Sequence, residues 1–184
     1  HRLIRRQRQM CIRDRWNNYH GGDGMESVID PNNDNLYYGF MQLGQTLFVN
    51  ENSGMFNTIG YSGPTNGNWI TPLNINSESE VFAGYDRLYQ FENENFTAIS
   101  SSFGTNIDVL ELDPINSDII YVATNEVFYK STDRGVNFTN LGSFPNNVTA
   151  IEVNNNDNDK LYVTTRGSSC LLYTSPSPRD RLKS

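Results

Sequence analysis

Three acidic residues sit in turn-like settings where a carboxylate can meet a ligand. Asp23 lies inside Gly21-Gly-Asp-Gly24, Asp86 precedes Arg87, and Glu126 follows Asn125. Glycines let the backbone approach closely, so Asp23 can be presented tightly to a sugar hydroxyl or to a Ca²⁺ ion. Two carboxylates held apart across a cleft can serve as acid and base on a glycosidic bond. Asp86 and Asp23 are the weak catalytic candidates. The plainer reading makes Asp23 a turn former beside glycines and Asp86 a solvated turn residue. His20 has no paired His or Cys nearby, so metal ligation by it is not expected, and no metal site is assigned. The Asn- and Asp-rich turns, Asn154 to Asp159 among them, lack the spacing of a calcium loop. No other cofactor is implied.

These residues are positioned by a repeat. Leu36-Tyr-Tyr-Gly-Phe, Val81-Phe-Ala-Gly-Tyr, Ile120-Tyr-Val-Ala-Thr and Leu161-Tyr-Val-Thr-Thr align on Tyr37, Phe82, Tyr121 and Tyr162, spaced 45, 39 and 41 residues apart. Each follows a run ending in Val28-Ile-Asp-Pro, Leu73-Asn-Ile-Asn, Leu110-Glu-Leu-Asp-Pro or Ile151-Glu-Val-Asn. Asn, Asp and Ser fill the turn between the two runs, because their side chains hydrogen-bond nearby backbone. Third runs begin at Leu47, Leu88 and Val127. Fourth runs begin at Phe56, Phe96 and Phe138. Four short strands every forty-odd residues is the pattern of a β-propeller blade, which must stack on neighbours to bury its two faces. The expected fold is all-β: a partial propeller of about three and a half four-stranded antiparallel blades, at about 21–61, 69–100, 106–142 and 147–169. Propellers have roughly 4–8 blades, so a slice of a larger ring with exposed edges is expected.

The ends differ from the middle. Of 184 residues with formal net charge −7, residues 1–15 hold six Arg and one acid, and 170–184 hold two Arg, one Lys and one acid. Residues 16–169 keep five basic and nineteen acidic residues, a net charge near −14. Both cysteines, Cys11 and Cys170, lie in the ends. Both end segments resemble translated sequencing adapters and are set aside as non-native tails; the rival reading of the first is a basic arm or transit peptide. The acidic, cysteine-free middle suits a secreted or cell-surface bacterial protein. It argues against nucleic acid as a partner, since phosphates call for Lys and Arg. No apolar run approaches the roughly 18 residues of a membrane helix. Asn95-Phe-Thr, Asn137-Phe-Thr and Asn147-Val-Thr match the glycosylation acceptor pattern and are read as ordinary strand sequence.

Ser131-Thr-Asp-Arg-Gly-Val-Asn-Phe138 resembles the Asp-box, Ser-x-Asp-x-Gly-x-x-Trp, with Phe in the last place. This is the repeat of bacterial neuraminidases, sortilin-type receptors and xyloglucanase-type hydrolases. The resemblance implies a structural staple built from Ser131, Asp133, Gly135 and Phe138 in the hairpin between third and fourth strands. The other hairpins are two and three residues shorter; Glu51-Asn-Ser-Gly54 keeps only the glycine and Glu92-Asn-Glu-Asn95 keeps nothing. In such propellers the loop leading into the first strand and the loop between strands two and three share one face, which usually carries the binding site. That face is expected to present His20, Asp23, Gly24, Met41, Gln42, Asp86, Arg87, Asn125, Glu126 and Arg166.

Three functions follow from the resemblance. The favoured one is a binding or scaffold module for a glycan or a protein. The second is a fragment of a xyloglucanase-type glycoside hydrolase; Phe40-Met-Gln-Leu-Gly44 lacks the carboxylate found at the corresponding turn, and the resemblance makes Asp86, in the comparable turn of the next blade, the candidate acid. The third is a sortilin-like peptide receptor. A sialidase is disfavoured, because its arginine triad would have to come from Arg87, Arg134 and Arg166, and Arg134 sits in the Asp-box turn on the other face. The remaining blades of a parent chain complete the list of expected partners.

Overall fold

The computed structural model describes residues 24–51, 58–167 and the backbone of 171–174. The chain is a partial β-propeller of four consecutive sheets. The first holds β1 (Gly24–Asp30), β2 (Asn33–Met41), β3 (Thr46–Glu51) and β4 (Thr58–Ser62). The second holds β5 (Leu73–Ile75), β6 (Val81–Gly84), β7 (Leu88–Glu92) and β8 (Asn95–Ala98). The third holds β9 (Val109–Leu112), β10 (Ile120–Thr124), β11 (Val127–Ser131) and β12 (Thr139–Ser143). The last holds β13 (Val148–Val153), β14 (Lys160–Thr165) and β15 (Leu171–Thr174). Every sheet is an antiparallel meander in chain order, and no crossover interrupts any of them.

β15 comes from the segment that the sequence sets apart after residue 169. Leu171-Leu-Tyr-Thr pairs antiparallel with β14, Leu161 opposite Tyr173 and Val163 opposite Leu171. A short run of branched and aromatic residues satisfies the open edge of β14, whatever the character of the residues around it. Among the described residues, no helix is long and apolar enough to cross a membrane.

The second strands explain why the blades stack. Val81, Phe82 and Ala83 of β6, and Ile120, Tyr121, Val122 and Ala123 of β10, are all buried. Successive side chains point to opposite faces of a strand, so each run feeds two cores. Val81 and Ala83 join Tyr38, Phe40 and Leu47 of the first blade. Phe82 joins Leu110, Leu112, Ile120 and Val122 of the third. Tyr121 and Ala123 join Val148, Ile151, Val153, Leu161 and Val163 of the fourth. The three apolar clusters are therefore the three seams between blades. Each fully buried large side chain contributes roughly 1.5–3 kcal/mol.

The turns between first and second strands lie on what we call the lower face. Their leading residue caps the turn with a side-chain oxygen. Asp30 accepts from Asn32 N–H at 2.8 Å. Asn76 accepts from Glu78 and Glu80 N–H at 3.0 and 2.9 Å. Asp113 accepts from Ile115 and Asn116 N–H at 2.8 and 3.0 Å, and Asn154 from Asn156 N–H at 2.9 Å. The turn chemistry expected from the sequence is thus present at one equivalent position in all four blades. These turns also bond across seams: Ser79 donates to Asp30 at 2.7 Å, and Asn32 donates to the Ser77 carbonyl at 2.8 Å.

The turn from Ser131 to Phe138 shares this face. Ser131 Oγ donates to Asp133 Oδ1 at 2.7 Å and accepts from Gly135 N–H at 2.9 Å. Asp133 accepts from the Asn137 backbone N–H and from its side-chain amide, at 2.9 and 2.8 Å. These bonds, led by the Asn137 backbone, hold the Asp133 carboxyl below its usual range. Arg134 takes a left-handed φ of 57°. It pairs with Asp118 of its own blade at 2.9 Å and with Glu78 and Glu80 of the preceding blade at 2.9 and 3.0 Å. The side chains of Ser131, Asp133 and Arg134 are thus engaged in holding the fold.

Candidate functional site

The upper face is built from the loops between second and third strands and the loops joining one blade to the next. The 63–72 segment is pinned to a 3-10 turn at Gln42–Gly44. Gly67 N–H donates to the Leu43 carbonyl at 2.8 Å, and Leu43 N–H donates to the Trp69 carbonyl at 3.1 Å. With its backbone held, Trp69 leaves its side chain 59% exposed, and Ile70 is 52% exposed. Asn68, the residue before Trp69, donates to Asp108 Oδ1 at 2.7 Å and to the Ile107 carbonyl at 3.2 Å. Asp108 Oδ2 accepts from the Asn125 N–H at 2.5 Å. A carboxylate that accepts two such bonds is fixed in place at the point where the second and third blades meet.

Tyr85 anchors the same face from below. Its hydroxyl is buried and donates to the Gly44 carbonyl at 2.7 Å, across the seam between the first two blades. Burial pushes the Tyr85 phenol well above its ordinary range. Replacing Tyr85 with Phe strands the Gly44 carbonyl, and we expect a loss of about 1–3 kcal/mol in urea unfolding.

The residues expected on this face are spread over all four blades. His20 and Asp23 lie outside the described residues, and Gly24 opens β1. Met41 and Gln42 sit at the 3-10 turn, where Gln42 Oε1 is buried with no hydrogen-bond partner among the described residues. Asp86 and Arg87 pair with each other at 3.0 Å. Arg87 is the main reason the Asp86 carboxyl titrates below its usual range. An acid catalyst needs its proton near neutral pH, and the Arg87 contact acts in the opposite direction. Asn125 and Glu126 form a turn in which Asn125 has φ 53°. Their carbonyls accept from Val148 and Phe144 N–H at 2.8 Å each, tying the third blade to the loop that leads into the fourth. Arg166 donates its N–H to the Asn147 carbonyl at 2.9 Å.

A cavity of about 400 Å³ opens between the first strands and the 63–72 loop. Ile70, Asn74, Asp108, Glu111 and Thr149 are among its walls, with Glu26 at its edge. A second cavity of about 400 Å³ lies toward the lower face and shares Asn74 and Glu111 with the first. The Asn74–Glu111 contact, at 3.3 Å, therefore lies where the two cavities meet, and we call the pair of cavities the channel. Burial, then the neighbouring Glu152 carboxylate, raise Glu111 from about 4.5 to about 7, against bonds from the Val153 backbone and Asn74 that favour its charged form. Among the described residues, no group of three or more His, Cys, Asp or Glu is placed to hold a metal ion.

Neither Trp69, Asp108 nor Glu111 is among the site residues expected from the sequence. Trp69 carried a usable signal: a large aromatic inside the Gly-, Pro- and Asn-rich run from Gly63 to Pro72, where no strand pattern asks for it. Glu111 carried none, because Leu110-Glu-Leu112 reads as an ordinary alternating strand.

No family model matches the chain, and no curated protein matches it. Solved structures do resemble it. A GH74 xyloglucanase from Xanthomonas campestris is 14% identical with a TM-score of 0.66, over 84% of this chain and 29% of that one. An ancestral GH74 enzyme is 15% identical with a TM-score of 0.67, over 86% of this chain and 24% of that one. An auxiliary nutrient binding protein from Bacteroides thetaiotaomicron is 14% identical with a TM-score of 0.62, over 82% of this chain and 38% of that one. At these identities the likeness is one of fold, and the chain spans well under half the length of each.

Proposed function

We propose that this chain is a glycan-binding segment of a larger propeller, with the ligand lying across the upper mouth of the channel. The observation that carries the reading is Trp69. It is a large aromatic side chain, 59% exposed, on a loop whose backbone is fixed to both neighbouring blades. Its chain neighbours mark the mouth, Ile70 in the cavity wall and Asn68 bonded to Asp108 of that wall, so Trp69 adds an apolar platform next to a few fixed polar groups, the usual make-up of a small-molecule site. A pyranose has the same division between ring C–H faces and hydroxyl edge. That GH74 enzymes and a nutrient binding protein share the fold supports a carbohydrate-related role by analogy. An extracellular or cell-surface bacterial location goes with this reading, as does the Asp-box resemblance of the Ser131–Phe138 turn.

The test is a neutral-polysaccharide and oligosaccharide binding screen followed by calorimetry. The Trp69→Ala variant is expected to bind at least about tenfold more weakly while melting as the wild type does, since an exposed aromatic anchor carries binding energy rather than stability. A wild type that binds peptides but no glycan would move the reading to the sortilin-like receptor. Unchanged affinity in Trp69→Ala would remove the upper mouth as the site.

One observation favours a hydrolase as the second reading. Asp108 and Glu111 line the same cavity, and Glu111 holds its proton to about pH 7. Carboxyl groups of unlike environment in one cleft suit acid–base hydrolysis. Reducing-end release from xyloglucan or β-glucan that is abolished by Glu111→Gln would establish it; wild-type protein that binds without cleaving would reject it.

A further inference from the structure

Outside the channel, a cavity of about 340 Å³ lies on the rim in the cleft between the second and third blades. One wall is Ser100-Ser101-Ser102-Phe103, which follows β8; the other is Tyr129 of β11 with Val136-Asn137-Phe138. We propose that this cleft is a second binding site, for a single neutral pyranose unit such as the end or side branch of a glycan.

The apolar half of the site is a cluster of three rings. Phe103 meets Tyr129 edge-on at 5.0 Å between centroids and Phe138 at 5.2 Å. All three are only partly buried against the core of this seam, and Val136 is 51% exposed beside them. Rings held in this way present a rigid apolar surface at little entropic cost.

The polar half is rich in acceptors and also holds donors, the Tyr129 hydroxyl among them. A hydroxyl has one proton and two lone pairs. Ser100 Oγ gives its proton to the Ser101 carbonyl at 2.9 Å and takes the Leu88 N–H at 2.9 Å. Ser102 Oγ gives its proton to the Asp86 carbonyl at 3.2 Å and takes the Gly104 N–H at 3.1 Å. Each therefore keeps one acceptor lone pair. Asn137 spends one amide proton on Asp133 at 2.8 Å, which orients its side chain and leaves its carbonyl oxygen as a third acceptor and its second amide proton as a donor. The ligand must supply O–H or N–H donors alongside an apolar face. Among the described residues, no Asp, Glu, Lys or Arg lines the cavity wall. An ammonium or a carboxylate would lose water there without a countercharge, whereas sugar hydroxyls meet partners of matching strength.

The test is amide-resolved NMR titration of the full chain with methyl glucoside, methyl galactoside and methyl xyloside, with choline chloride as the cationic comparison. A methyl glycoside should shift the amides of Ser101, Phe103, Val136 and Asn137, and should do so equally in Trp69→Ala, so that failure of the channel-mouth reading leaves this result standing. Val136→Glu, at an exposed position, should keep the wild-type spectrum elsewhere and weaken these shifts at least about tenfold. Val136→Thr should retain them. Absence of shifts at about 50 mM glycoside, or shifts indifferent to Val136→Glu, would overturn the proposal. A stronger response to choline would overturn the sugar assignment and make the cleft an aromatic cation site.

Discussion

Gly135→Ala is expected to destabilise the chain by about 2–4 kcal/mol in chemical unfolding. Two costs add. Gly135 has φ +85°, a conformation that L side chains adopt only at a penalty. A Cβ there would also lie 2.4 Å from Leu88 Cδ2 and 3.4 Å from Ile120 Cδ1. Leu88 is fully buried in the seam between the second and third blades, so it has no free space to withdraw into. The turn that begins at Ser131 thus presses its glycine into the preceding blade, and Arg134 beside it reaches the carboxylates of that same blade. Gly104 is the control. It has φ +80°, and a Cβ there would meet nothing within 4 Å, so Gly104→Ala should cost only the backbone share, about 1–2 kcal/mol. Equal losses at the two positions would show that the clash with Leu88 is relieved, and that the turn is not pressed into the seam.

The second large effect is a pH dependence that Glu111 imposes. In the native chain its carboxyl holds a proton to about pH 7, whereas an unperturbed Glu releases it near 4.5. Between those values the native state binds more protons than the unfolded one, so the free energy of unfolding falls as pH rises. Below about 4.5 both states are protonated and the contribution is fully present; above about 7 it is fully lost. The span corresponds to on the order of 3 kcal/mol. The groups that face Glu111 are Asn74 from the second blade, Glu152 and the Val153 backbone from the fourth, and Asp113 just beyond its own strand. Two of them are acids, so none reverses the direction. Glu111→Gln keeps an acceptor for Asn74 and carries no charge at any pH. Its unfolding free energy should exceed that of the wild type at pH 8, and the difference should shrink as pH falls toward 5. The carboxyls held low by partners, Asp86 and Asp133 among them, act in the opposite sense at more acid pH and cancel in the comparison. A difference that stays constant from pH 5 to 8 would show that the Glu111 carboxyl is not held protonated by its surroundings.

How much of this was legible beforehand depended on the range of the interactions involved. The four-fold repeat, the strand pattern and the turn caps at Asp30, Asn76, Asp113 and Asn154 are local, and the chain states them directly. A turn Asp or Asn needs only the next few backbone amides, and an apolar run of four to five residues needs only a covered face. The Ser131–Phe138 turn was legible for the same reason, since its bonds close within eight residues. The place of Arg134 on the lower face followed from the repeat.

What only the tertiary structure decided was which side chains share a space. Both faces of a blade are covered by neighbours, so alternation along a strand no longer separates solvent from core. Glu111 therefore reads as a surface residue and lies where the two cavities of the channel meet, where two other blades determine its charge. Asp108 gains its role from Asn68, forty residues earlier, and from the Asn125 backbone. Trp69 stays exposed on a fixed backbone because Leu43 holds its loop from the preceding blade. The rim cleft exists because Phe103 crosses a seam to meet Tyr129 and Phe138. Sequence determines the blade, because a blade is made of local hydrogen bonds and periodic burial; the stacking of blades determines which side chains share a cavity, because the channel and the rim cleft are walled by more than one blade.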